Sequence, residues 1–182
     1  FSILALVIII ISTSGLSFKF MEKFVSVYYY GKTVNATDVA GAEKYVRKAL
    51  LLNQNDLYLR TYSQVYLSKL NDLLSKGDNL TDSDKVLLQA SIDESVNGAV
   101  LATKYNKDNY LNFEIVGFVY KNAASLGIKD AGAKAIESYT EASRLNPLNP
   151  LMKLEIARTY FIDKNIKEAR NFALESINIK PD

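Results

Sequence analysis

The first eighteen residues, Phe1 to Phe18, carry no charge, and Ile3 to Ile11 are almost wholly aliphatic. A helix of that length rises about 27 Å, close to the roughly 30 Å core of a bilayer. The polar run Ser12-Thr13-Ser14-Gly15 weakens the stretch as a span without forbidding it, because Ser and Thr hydroxyls bond back to helix carbonyls. Lys19 is the first charge, and beyond it Phe20, Met21, Phe24, Val25, Val27 and Tyr28 continue an apolar stripe at helical spacing. Tyr28-Tyr29-Tyr30 suit either an interfacial belt or the first packed face of a following domain. No basic leader or small-residue cleavage site precedes the charges, so a secretory signal fits poorly. The pattern divides the chain into a hydrophobic helix, 1–24, and a domain, 25–182.

The remainder alternates small and large apolar positions. Ile156-Ala157 and Tyr160 share one helical face, Asp163-Lys164-Asn165 form a turn, and a second helix opens near Ala169, carries Ala173 and Ser176 inward, and closes at Pro181. Thirty-four residues earlier stand Ala135, Tyr139, Ala142 and Pro147, partnered by Phe113, Val116-Gly117 and Tyr120. Antiparallel helices approach closely only where small residues meet; aromatics fill the gap to the next pair, and Pro stops the second helix. Two further copies lie upstream: Leu59, Tyr62-Ser63 and Tyr66 with Ser95, Ala99 and Ala102, and Tyr28 to Tyr30 with Ala42, Val46 and Ala49. The closing residues Ala49, Ala102, Ala142 and Ser176 are 53, 40 and 34 apart, leaving excesses of 19, 6 and 0 over a 34-residue unit. The larger excess lengthens both helices of the second copy and adds a loop at Lys76-Gly77-Asp78-Asn79; the smaller lies at Ala123 to Ala133. Thr81 and Asp84 fit a capping box.

This alternation resembles the tetratricopeptide repeat, and Leu52-Asn53-Gln54-Asn55-Asp56 and Leu145-Asn146-Pro147-Leu148-Asn149-Pro150 resemble its inter-repeat joints. The resemblance implies an all-α chain: a hydrophobic helix followed by a solenoid of three to four helix pairs, binding peptides or other subunits on the concave face of the first helices. The polar positions there, Arg60, Gln64, Lys121, Asn122, Lys153 and Arg158, are the candidate binding residues, beside the plainer reading of solvated charges.

Composition narrows the chemistry. There is no Cys and no His, which excludes thiolate zinc sites, disulfides and the usual proton-transfer triads. Carboxylate pairs such as Asp93-Glu94 and Glu137-Glu141 have no His or ligand cluster beside them, so neither catalytic residues, cofactor nor metal is expected. Asp78, Asp82 and Asp84 suit a hard cation but are already explained by helix capping. A net charge of +2 gives no reason to invoke nucleic acid. Asn35-Ala36-Thr37 and Asn79-Leu80-Thr81 match the glycosylation sequon at Asn35 and Asn79.

The apolar residues Phe1, Ile3, Leu4, Leu6, Val7, Ile8, Ile9, Ile10, Ile11, Leu16 and Phe18 require a covering of lipid or of other protein. An aliphatic helix opening at Phe1 resembles type IV pilins and related archaeal filament subunits, whose helices bundle into a core, although Ala5 stands where bacterial pilins carry Glu. An apolar helix leading into such repeats also looks like the C-terminal region of O-antigen ligase-like membrane proteins. The leading expectation is a non-catalytic, homopolymeric subunit of an extracellular pilus-like filament. The alternative is a protein-binding tail anchored in the cell envelope, with lipid around residues 1–18.

Overall fold

A computed structural model describes residues 2–180, so Phe1 and Pro181 lie outside the described residues. The architecture is all-α, with eight helices among the described residues: α1 (Ser2–Val34), α2 (Val39–Leu52), α3 (Asp56–Leu74), α4 (Asp82–Tyr105), α5 (Tyr110–Ser125), α6 (Ala131–Leu145), α7 (Pro150–Ile162) and α8 (Ile166–Ile179). They pair as α1·α2, α3·α4, α5·α6 and α7·α8, and each pair packs on the next. The odd-numbered helices also touch one another, α3 on α5 and α5 on α7, which makes them the inner layer of a solenoid.

Local chemistry sets the boundaries. Asp38, Asn55, Asn109, Asn149 and Asn165 each accept a backbone N–H from the first turn of the helix they open. Pro150 occupies the first position of α7, where its missing N–H costs nothing. Thr81 and Asp84 form the full capping box of α4. Gly77 and Gly127 take the left-handed φ of the turns after α3 and α5.

The core is a row of three clusters, one per junction between pairs. Val46, Tyr62, Val65 and Tyr66 join the first and second pairs. Leu67, Leu70, Ala99, Ile115, Val116 and Val119 join the second and third. Ala135, Tyr139, Ala142, Met152 and Ile156 join the third and fourth. The expected pairing of small with large is met within the second and third pairs. A Cβ on Gly98 would stand 2.8 Å from the Tyr62 ring, and one on Gly117 would stand 2.7 Å from the Tyr139 ring. The 19-residue excess appears as the long α3 and α4 with a single 3-10 turn, Gly77–Asn79, between them. The 6-residue excess is spent on extending α5 and on the turn before α6, whose first residues already include Gly132.

Helix α1 is unbroken through the boundary expected near residue 24. Its last third belongs to the first pair: Ser26 and Thr33 are buried, Tyr29 stacks on Tyr45 of α2, and Tyr30 stacks on Tyr58 of α3 with ring centroids 4.5 Å apart. From Ser2 to Met21 every residue is exposed. Since α2 is only 14 residues long and antiparallel to α1, the front of α1 runs past it as a free arm.

The alternation of directions gives the solenoid two edges. The near edge, where the arm projects, collects the starts of α3, α5 and α7 and the joints 53–55, 106–109 and 146–149. Each joint is flanked by an exposed apolar residue there: Leu51 (86%), Tyr105 (56%) and Leu148 (84%). The far edge carries the turns at 35–38, 75–81, 126–130 and 163–165.

A concave groove as the candidate functional site

The inner helices α3, α5 and α7 repeat one exposure pattern, and each opens with an exposed leucine: Leu57, Leu111 and Leu151. Beside the last two lies a hollow of about 350 Å³, walled by Arg60 and Gln64 of α3, Leu111, Glu114, Ile115 and Phe118 of α5, Tyr139 of α6, and Leu151 and Glu155 of α7.

Its polar groups differ sharply in how they are satisfied. Arg60 is tied into a network at the joint between the second and third pairs. It donates to Asp56 at 3.1 Å and to Asn112 Oδ1, while Asp56 also accepts from Asn109 at 2.8 Å and Asn112 at 3.2 Å. Asn112 is fully buried and donates as well to the carbonyls of Ala102 and Asn106. Burial pushes the Asp56 pKa up, but the bonds from Asn109, Asn112 and Arg60 outweigh it and leave the carboxyl below its ordinary value. Glu155 is held by Lys121 from α5 and by Arg158 on its own helix.

Glu114 has no such support. No ion pair or hydrogen bond reaches it among the described residues, and its pKa is raised first by burial and then by Glu155, against a smaller opposing pull from Arg60. The Tyr139 hydroxyl is likewise unsatisfied. The residue is 1% exposed, its ring lies across Gly117, and its buried oxygen lies near Glu155 without a well-formed hydrogen bond. Burial, followed by the fields of Glu155 and Glu114, pushes its pKa far above the usual range.

Of the six candidate residues, Arg60 and Gln64 line the hollow, and Lys121 and Arg158 reach it through Glu155. Asn122 instead donates to the Phe118 carbonyl of its own helix at 2.8 Å. Lys153 turns away to pair with Glu175 of α8 at 2.7 Å, over the Phe172 ring. Sequence reasoning missed Glu114, Glu155 and Tyr139 as groove residues. The signal was present in the repeat register: Glu114 stands 54 residues after Arg60, as Gly117 stands after Ser63.

Asp84 is engaged by Lys76 at 2.6 Å and by Thr81, in agreement with capping, and no group of three potential ligands forms among the described residues. Asn35 and Asn79 are both exposed, and both lie on the far edge. A larger hollow, about 660 Å³, sits on the outer side between α4, α5 and α6; of its carboxylates, Glu141 is paired with Arg144.

No protein-family model matches the chain, and no curated protein matches its sequence. Solved structures resemble it in helical arrangement. A crystal structure of MamA aligns over 86% of this chain and 92% of its own, at 17% identity and TM-score 0.45. A MamA MSR-1 C2 structure aligns over 86% and 97%, at 16% and 0.44. A further MamA crystal structure aligns over 79% and 90%, at 20% and 0.43. Similarity at this level carries no functional information.

Proposed function

We propose that this chain is a non-catalytic interaction module, a tetratricopeptide-like solenoid that receives an extended protein segment in its concave groove and is held at a membrane by the arm of α1. One observation carries the reading: a single helix is at once a free apolar arm and a structural part of the first pair. The arm is apolar round its whole circumference, which suits a surround of lipid. Its mean hydropathy reaches 2.1, and Thr13 satisfies its hydroxyl on the Ile9 and Ile10 carbonyls of its own helix. Lys19, Glu22 and Lys23 with Phe18, Phe20 and Phe24 then supply the mixed charged and aromatic flank that a headgroup region favours. The exposed Leu51, Tyr105 and Leu148 lie on the edge facing that flank. In this setting the module belongs to the cell envelope, as would the repeat tail of a larger protein such as an O-antigen ligase-like one.

A second reading has arms of several copies bundling into the core of an extracellular filament. It is favoured by the unbroken helix that joins arm and solenoid, which would let stacked solenoids clothe such a core. The two separate experimentally. The chain contains no cysteine, so single cysteines at Leu6, Ile10 and Asn79 can each carry an environment-sensitive dye on the full chain in phospholipid vesicles. The anchored reading expects blue-shifted emission at 6 and 10, quenched by acyl-chain quenchers, and an aqueous spectrum at 79. Lipid-free filaments in which positions 6 and 10 cross-link between copies would overturn it in favour of the second.

A further inference from the structure

We infer that the hollow between α3, α5 and α7 binds a lysine or arginine side chain of an extended protein segment, with the Glu114 carboxylate as its counter-charge. The inference rests on the interaction-module reading and names the partner's chemistry.

One carboxylate and the walls around it point to such a guest. Glu114 is a partly buried carboxylate with neither ion-pair nor hydrogen-bond partner among the described residues, a state that an incoming cation relieves. The Tyr139 hydroxyl oxygen is buried out of a ligand's reach. The other charges are committed: Glu155 to Lys121 and Arg158, and Arg60 to Asp56 and Asn112. An anionic ligand would therefore meet Glu114 with no free cation beside it, and a neutral donor would leave the Glu114 charge uncompensated. Leu111, Phe118 and Leu151 form an apolar wall for the aliphatic stem of a basic residue, whose charged head then reaches the carboxylate. A carboxylate–ammonium hydrogen bond in such a partly enclosed site gives selectivity for charge as well as affinity.

The test uses the full chain in lipid nanodiscs and three fluorescent dodecapeptides of alternating leucine and serine, with lysine, acetyl-lysine or glutamate at the centre. Anisotropy is expected to show the lysine peptide binding at least tenfold more tightly than the other two. Glu114→Gln should erase that preference with cooperative unfolding retained. Equal binding of the lysine and glutamate peptides overturns the inference, as does a folded Glu114→Gln chain that keeps the preference. If none of the three binds, display of random peptides decides between the two levels. Neutral or acidic sequences whose capture is lost in Phe118→Asp overturn this inference and leave the module reading standing, while no captured sequence overturns both.

Discussion

Gly117 shows how much of the packing rests on one missing methyl group. Alanine there would bring a Cβ to 2.7 Å from a ring that is itself fixed in the core. Overpacking of this kind costs about 1–3 kcal/mol, and the better helix propensity of Ala returns about 1 kcal/mol. Gly117→Ala should therefore lower stability by up to about 2 kcal/mol in urea unfolding followed by circular dichroism, and a joint Gly117→Ala, Tyr139→Leu change should recover part of it. Asn112 is the polar counterpart. Asn112→Ala removes one hydrogen bond each from Asp56, Arg60 and the carbonyls of Ala102 and Asn106, while Asp56 keeps Arg60 and Asn109, so a loss of about 2–3 kcal/mol is expected. These two residues were not equally legible. Gly117 sits in a register that repeats at Ser63 and Ala157, so its role follows from spacing alone. At the equivalent position to Asn112 stand Tyr58 and Met152, and its partners come from residues as far away as Asp56. A contact made once, across a joint, leaves no periodic trace.

At the level of single helices, the capping of α4 makes a pH-dependent claim. The Lys76 ammonium, followed by the Thr81 amide and hydroxyl, holds the Asp84 pKa at about 2, below its ordinary 3.8. A depressed folded value means that the contribution is complete above the unfolded pKa and fades as pH falls from near 4 toward 2. Asp84→Asn should thus be less stable than the parent at neutral pH and approach it below pH 3, as read from urea midpoints. Thr81→Ala should cost about 1 kcal/mol at neutral pH. Helix α1 leads to a different expectation. Because its front half packs on nothing in the chain, Leu6→Asp and Ile10→Asp should leave the solenoid's unfolding within about 0.5 kcal/mol of the parent. The same changes should sharply reduce recovery in the membrane fraction, since a charge at the centre of a span costs about 2.5–3.5 kcal/mol. The helices themselves were readable from aliphatic runs, Asn and Thr caps and small-residue spacing. The uninterrupted passage of α1 from arm into repeat was not, because apolar residues on all sides and apolar residues on one side look alike where they meet, around Phe20 to Tyr28.

For the whole molecule, three separate clusters in a row predict stability that depends on neighbours rather than on one centre. The second and third pairs are each flanked by two clusters, whereas α7 and α8 meet only one. Hydrogen exchange should accordingly be slowest in α3 to α6 and measurably faster in α8, and Ile156→Ala should accelerate exchange in α7 and α8 while leaving α3 protected. Uniform protection across all eight helices would contradict this picture of the core. The number and order of the pairs were legible because a solenoid writes its architecture as a period. The chemistry of the groove was less so, because register-equivalent positions carry unlike residues, with Arg60 answered by Glu114 and then Leu154.

A continuous helix of 33 residues, about 50 Å long, also acts as a lever. Embedded helices tilt by about 20° on average and lean further where the bilayer is thin. In the membrane-held reading proposed above, no break in the helix separates the arm from the first pair, so every degree of lean swings the groove by the same angle, and the far tip travels on the order of 17 Å sideways at the average tilt. The thickness of the surrounding membrane would then set the heading of the groove, so that lipid composition alone could turn the binding face toward or away from the surface beneath it.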